Sequence, residues 1–242
     1  MYKIRGILLG AGVIGLALLS LAVQPTKTQM EPVVRVEPQQ AVSLAPFTSI
    51  ELDGGVKAVL QHGSPQRVTM LKGSGDLSRI TVSQQQLVIE KCRDKCPRGY
   101  ELHVEIVTPL ITAISAANGG TIESRGNFPQ QTAMSLAVSH GGTVDARTIS
   151  ANNITAAVAQ GGRILANPQS TMVASVSNGG VITYWGNPQV TSSTEHGGVV
   201  NKGAANDLDK PLSDVEAPDS CSPTVPATPP PARAKRSRTV VI

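Results

Sequence analysis

Few side chains in this chain of 242 residues are of the kinds that do acid–base, nucleophilic or metal chemistry. There are four histidines, His62, His103, His140 and His196, and three cysteines, Cys92, Cys96 and Cys221. A nucleophile–base–acid set can be named from Ser139, His140 and Asp145. Neighbours on an extended strand point to opposite faces, so Ser139 and His140 do not meet as nucleophile and base. A sugar hydrolase would use Glu123 and Asp145, which hold equivalent outward positions in adjacent units of the repeat described below. Their spacing suits a retaining pair. No loops or aromatic platform stand beside them to hold a sugar, however, and two solvated surface acids is the plainer reading. His140 and His196 share a column of the repeat with Gln160 and Asn178 between them. That puts them three rungs, or about 14 Å, apart, too far to share a metal. Gly73-Ser74-Gly75 lies between strands and has no Gly-Lys-Ser/Thr after it, which excludes a phosphate loop. No catalytic residue, metal site or cofactor is expected.

Cys92 and Cys96 bracket a short basic loop with Arg93, Lys95 and Arg98. In an oxidising compartment a disulfide closes it. Zinc would need two further ligands nearby. Redox catalysis would want a Cys-x-x-Cys motif running into a helix. The loop tip is either a solvated protrusion or a contact point for anionic lipid or polysaccharide. Trp185, next to Tyr184, is the chain's single tryptophan. Alternation turns Tyr184 inward and Trp185 outward, where it either covers the last unit or offers a stacking surface. Arg93, Lys95, Arg98 and Trp185 are thus the candidate binding surface.

The elements that position these residues are legible from Thr112 to Lys202. A glycine pair recurs at Gly119-Gly120, Gly141-Gly142, Gly161-Gly162, Gly179-Gly180 and Gly197-Gly198, at spacings of 22, 20, 18 and 18. Aligned on these pairs, apolar or small residues fall into columns. One column is Thr112, Met134, Ile154, Met172, Val190; another is Ile114, Leu136, Ala156, Ala174, Ser192. A third is Ala116, Val138, Val158, Val176, Thr194, and after the glycines comes Ile122, Val144, Ile164, Ile182, Val200. This period-2 alternation predicts short strands on both sides of each glycine corner. Columns that stay chemically alike favour a β-solenoid, one unit stacked on the next, over a row of hairpins. Small inward residues such as Ala146 and Ala166 imply a narrow interior. The residues before the pairs, Asn118, His140, Gln160, Asn178 and His196, are expected to form a ladder of side-chain hydrogen bonds. Asn127-Phe128-Pro129-Gln130, Asn167-Pro168-Gln169 and Asn187-Pro188-Gln189 read as turns opposite the corners. The longer units at Gly119 and Gly141 bulge there.

The run Gly179 to Gln189, with Ile182, Tyr184, Trp185, Gly186 and Pro188, resembles the closing signature of the family called putative auto-transporter adhesin, head GIN domain. Phe47, Ile50 and Leu52, the strand at Leu87-Val88-Ile89, and Leu110 to Ala116 resemble its earlier strands. The resemblance spans about residues 47–202. It implies a single-stranded right-handed β-helix outside the inner membrane of a Gram-negative-type cell, and no catalytic residues. The Cys92/Cys96 pair and the long C-terminal tail depart from the family pattern.

The rest of the chain supports export. Lys3 and Arg5 precede an uncharged, mostly apolar run from Gly6 to Val23, either a cleaved signal or a single-pass anchor. Residues 24–46 read as a Pro-rich linker. Residues 47–203 are the β-helix domain, whose irregular first coils, formed by strands between Phe47 and Val107, cap its end. Residues 204–242 read as a disordered Pro-rich tail with a basic end at Arg233, Lys235, Arg236 and Arg238. Aromatics at 2%, charged residues at 16% and 23 glycines fit an extracytoplasmic all-β protein, and a net charge of +4 gives no case for nucleic acid. The expectation is a non-catalytic cell-envelope structural or adhesion module, in the periplasm or on the inner membrane facing it, with an envelope component or polysaccharide as partner. The alternatives are a carbohydrate-active β-helix and an inner-membrane assembly or signalling accessory.

Overall fold

The computed structural model describes residues 40–42, 44–92 and 96–214. The apolar N-terminal run, Arg93, Lys95, Cys221 and the basic end of the tail lie outside them. Among the described residues no helix is long and apolar enough to cross a membrane.

Among the described residues, fifteen strands form one mixed sheet. In chain order they are β1 Gln40–Val42, β2 Ser49–Asp53, β3 Lys57–His62, β4 Arg67–Lys72, β5 Ser78–Ser83, β6 Gln86–Lys91 and β7 His103–Thr108. The repeat supplies β8 Ala113–Ala117, β9 Thr121–Arg125, β10 Gln131–Ser139, β11 Thr143–Ala159, β12 Arg163–Val176, β13 Val181–Tyr184, β14 Gln189–Thr194 and β15 Val199–Lys202.

The repeat units pair in parallel, each with the next, in two ladders. Ladder one holds the strands before each corner: β8, β10, the second half of β11, the second half of β12, then β14. Ladder two holds those after it: β9, the start of β11, the start of β12, β13 and β15. The registers reproduce the sequence columns. Ile122 faces Val144, Val144 faces Ile164, Ile164 faces Ile182 and Ile182 faces Val200. On ladder one Val138, Val158, Val176 and Thr194 align in the same way. The side chains of Ile122, Val144, Ile164 and Ile182 are fully excluded from solvent. Each such burial is worth roughly 1.5–3 kcal/mol, so the columns are a main source of stability. Ala146, Ala156, Ala166 and Ala174 are buried inside with them.

The corners have a common backbone. Asn118, His140, Gln160, Asn178 and His196 all take positive φ, between 47° and 57°, and the first glycine of each pair follows at 75° to 80°. The recurring hydrogen bond along this column is made by the main chain: Gly119 N–H donates to His140 O at 3.1 Å, Gly141 to Gln160 at 3.2 Å and Gly179 to His196 at 3.1 Å. The expected side-chain ladder is therefore replaced by a backbone one, and the column is set by tolerance of left-handed φ, for which Asn is well suited. Asn118 does add a side-chain bond, to Asp53.

The N-terminal strands join the same ladders out of chain order. β2 lies against β8 and β3 against β9, so Gly54-Gly55 form one more corner, both at positive φ. β6 and β7 stack beyond β2 and β3. The Cys92–Cys96 loop stands where the other units have glycines. Antiparallel strands finish this end, β5 on β6, and β4 then β1 on β7.

Three expectations change. Asn167-Pro168 is part of β12 rather than a turn, paired with Ser150 and Ala151. The larger irregularity sits on the partner strand, where residues 146–149 oppose Ala166 alone, and a smaller one follows on β12, where residues 169–170 oppose Asn152. The linker ends in a strand, because β1 finds the exposed edge of β4. The tail does not begin at residue 204: short 3-10 turns at Ala205–Asp207 and Leu212–Asp214 continue the fold, with Leu208 and Leu212 packed on Trp185 and Leu165.

Candidate functional site

Outward residues on the two ladders make two very different surfaces. On ladder two, Glu123, Asp145, Leu165, Thr183 and Asn201 follow one another along an outward row. Leu165 is fully buried and Trp185 is 3% exposed. They are buried because residues 203–212 fold back over them as a strap. Trp185 Nε1 donates to Ala204 O at 2.8 Å, and a Cβ on Gly203 would lie 2.3 Å from the indole. Trp185 faces outward as alternation requires, but the strap leaves no stacking surface. Its place in the candidate binding surface is thereby corrected. Tyr184 packs against the main core.

The strap also covers a salt bridge. Arg147 Nε donates to Asp145 Oδ1 at 2.9 Å and Nη2 to Oδ2 at 2.6 Å, with both side chains under 5% exposed. The Arg147 main-chain N–H adds a bond to Oδ1, and Nη1 reaches Asp207 O. The guanidinium lies 5.5 Å from the Trp185 ring, within cation–π range. Asp145 is thus neither a solvated surface acid nor a partner for His140. One unit away, Glu123 and Arg125 repeat the pair in the open, with Nε–Oε1 at 3.1 Å; this partner raises the Arg125 pKa. Half-buried Arg163 is held below the usual arginine value by burial, partly offset by Asp145 and reinforced by Arg147. A carboxylate bound so closely by arginine is poorly placed to act as a nucleophile or general base.

Ladder one presents an open face of small side chains. Its outward rows are Ser115, Ala137, Ala157, Ser175, Ser193 and Ala113, Ser135, Thr155, Val173, Thr191, aligned rung by rung. Glu51 stands at one end, beside Ser115. Most of these positions are exposed, Val173 at 53%. A shallow depression of about 370 Å³ runs along this face past Ala137, Ser139, Ala157 and Ser175. Sequence reasoning identified the inward columns and gave their outward neighbours little weight, although their near lack of charge was readable.

The remaining sites are scattered. Cys92 and Cys96 are joined by a disulfide. Arg98 is exposed beside them, whereas Arg93 and Lys95 lie outside the described residues. His140 and His196 are exposed corner residues. Among the described residues no group of three or more His, Cys, Asp or Glu side chains is placed to hold a metal.

Parallel in-register strands in two ladders, joined at glycine corners and bearing an open hydroxyl-and-alanine face, define an all-β scaffold with no helix long and apolar enough to cross a membrane among the described residues. The chain belongs to the family described as putative auto-transporter adhesin, head GIN domain, whose pattern matches residues 46–135 and 130–188, more than half of its length. Among solved structures it is similar to a putative adhesin from Bacteroides fragilis, 17% identical with a TM-score of 0.41, over 68% of this chain and 94% of that one. A putative lipid binding protein from Parabacteroides distasonis is 14% identical, with a TM-score of 0.29 over 69% and 96%. A putative cell adhesion protein from Clostridium sporogenes is 9% identical, with a TM-score of 0.30 over 68% and 98%. Likenesses this distant carry no argument about activity. No curated relative matches the chain.

Proposed function

We propose that this protein is a non-catalytic module of the cell envelope, its repeat wound as a right-handed β-helix, which presents the outer face of ladder one to an envelope polymer such as a polysaccharide. The observation that carries the reading is that face: open, nearly free of charge, and lined mostly by Ser, Thr and Ala at the rung spacing of about 4.8 Å. Small polar and methyl side chains repeating at one rung spacing along an open depression fit a regular, neutral polymer better than a small molecule, which needs an enclosing pocket. A right-handed winding follows from the strong preference of parallel crossovers in one sheet. Export is supported by the apolar run Gly6–Val23 behind Lys3 and Arg5, and by a disulfide, which persists in oxidising compartments. The carbohydrate-active alternative is weakened because its two acids are each engaged by an arginine.

The test is a binding screen of the full chain against envelope polysaccharides and anionic and neutral vesicles. Binding to a neutral polysaccharide is expected, lost on Ala157→Asp at the centre of the face and kept on Arg98→Gln. Binding that ignores Ala157→Asp but needs Arg98 would move the site to the disulfide loop. Release of shorter sugars from the polymer would make the protein an enzyme. Membrane fractionation then separates an inner-membrane accessory from a soluble periplasmic module.

A further inference from the structure

The two ends of the stack are finished differently. At the β6–β7 end, antiparallel strands close the ladders: β5, with Arg79, lies on β6, and β4, with Arg67 and Lys72, lies on β7, its outer edge taken by the short β1. At the other end, among the described strands, β14 pairs only with β12 and β15 only with β13. β14 reads Gln-Val-Thr-Ser-Ser-Thr, without a charge or a proline inside it. Those are the devices that normally keep an exposed edge from recruiting another strand.

The described part of the strap does not shield this edge. From Gly203 it passes over Trp185 and Leu165. By Lys210 and Pro211 it lines the same depression as Arg125 and Gly126, several rungs toward the opposite end. The inward columns are left unfinished where it departs. Met172, Ala174, Val176 and Ile182 are buried, whereas Val190 and Val200 above them are only half-buried and Ser192 and Thr194 are exposed.

We infer that the β14–β15 end is a symmetric interface at which a second copy of this chain docks end to end, β14 antiparallel to its own copy. A second copy fits better than one extended peptide, because two edges lie open at the same end and a single strand covers only one. A two-fold axis at Ser192 sets Ser192 opposite Ser192, Val190 opposite Thr194 and Thr191 opposite Ser193. Inward residues then meet inward ones, outward meet outward, and no like charges are opposed along the strand, as a stable antiparallel pair requires. The match is isologous and closes at two copies, so it makes a dimer and not a fibre. An association held through strand edges is best trapped covalently.

The trap is Ser192→Cys in a Cys221→Ser background of the full chain, in mild non-ionic detergent, with copper–phenanthroline as oxidant. Residues directly opposed across antiparallel strands have Cα atoms about 4.5–5.5 Å apart, inside the roughly 4.4–6.8 Å a disulfide spans. The expected result is at least tenfold more covalent dimer than for Thr155→Cys, an exposed position at the centre of the ladder-one face. Adding Thr191→Lys and Ser193→Lys, both outward and exposed, abolishes it. The inference is overturned by a folded Ser192→Cys protein that stays monomeric, as it would if another segment or protein held the edge. It is equally overturned by dimer that matches the Thr155→Cys level or survives the two lysines. Circular dichroism confirms that each variant is folded.

Discussion

The two glycines of a corner such as Gly141-Gly142 do different work, and the difference is measurable. Gly161 has φ +80° and open space around a hypothetical Cβ. An alanine there meets only the left-handed backbone penalty, about 1–2 kcal/mol. Gly142 has no such φ, but a Cβ would lie 2.4 Å from Ala116 O and 2.9 Å from Ala116 C. Both are main chain of the neighbouring unit, so relief requires the units to part by roughly the 1 Å that separates this contact from a normal one. Thr143 N–H to Gly120 O at 2.8 Å and Arg163 N–H to Gly142 O at 3.0 Å hold the rungs at that place. Overpacking of ~1–3 kcal/mol together with one or two weakened hydrogen bonds of ~1 kcal/mol each puts Gly142→Ala at about 3–4 kcal/mol. Urea unfolding followed by circular dichroism reads both variants. With a slope near 2–3 kcal/mol/M, the midpoint falls by more than about 1 M for Gly142→Ala and by about half of that for Gly161→Ala. Gly161→Asn should recover part of its loss, since Asn visits left-handed φ more readily. Equal losses at the two positions, or a neutral Gly142→Ala, would refute close stacking at the corner.

Other outcomes follow from the strap and the ion pairs. Arg147→Ala leaves the Asp145 carboxylate buried without its partner and should cost about 3–5 kcal/mol in urea titrations, whereas the paired replacement Asp145→Leu with Arg147→Met should cost far less. Gly203→Ala pushes the strap off the indole and should shift Trp185 emission to the red; an unchanged spectrum would contradict the contact. Glu101 is held below the usual carboxylate range by its hydrogen bond to Lys72 and by that lysine's charge. A lowered carboxylate favours the folded state above its unfolded pKa and loses that contribution as pH falls through the folded value. An NMR titration should therefore place Glu101 below an exposed reference glutamate, and Lys72→Met should return it upward.

How much could be read from sequence depended on repetition. The inward columns were legible because stacking forces equivalent positions to stay alike, and the corners because a glycine pair marks each one. Gly54-Gly55 is also a corner, but its unit lacks the following Asn-Pro mark and is separated from the others by β4 to β7, so chain order misled. β6 and β7, later in sequence, stack outside β2 and β3, and pattern alone does not encode that excursion. The strap was missed because residues 204–214 are mostly polar and carry a proline, and Leu208 and Leu212 are their only large apolar side chains. Two signals could have exposed it. Leu165 and Trp185 are large apolar residues at outward positions, which implies a cover. The acid-x-Arg pair at Glu123 and Arg125 recurs in the next unit as Asp145 and Arg147, which implies that the two side chains meet.

Equivalent strands of successive units lie parallel and in register, so that side chains one unit apart share an interior. Scalar couplings across hydrogen bonds, measured by NMR on isotope-labelled protein, test this most directly. Magnetisation should pass from the Gly119 amide nitrogen to the His140 carbonyl carbon, from Gly141 to Gln160 and from Gly179 to His196. Couplings that instead join the two strands of a single unit, as in antiparallel hairpins, would contradict it.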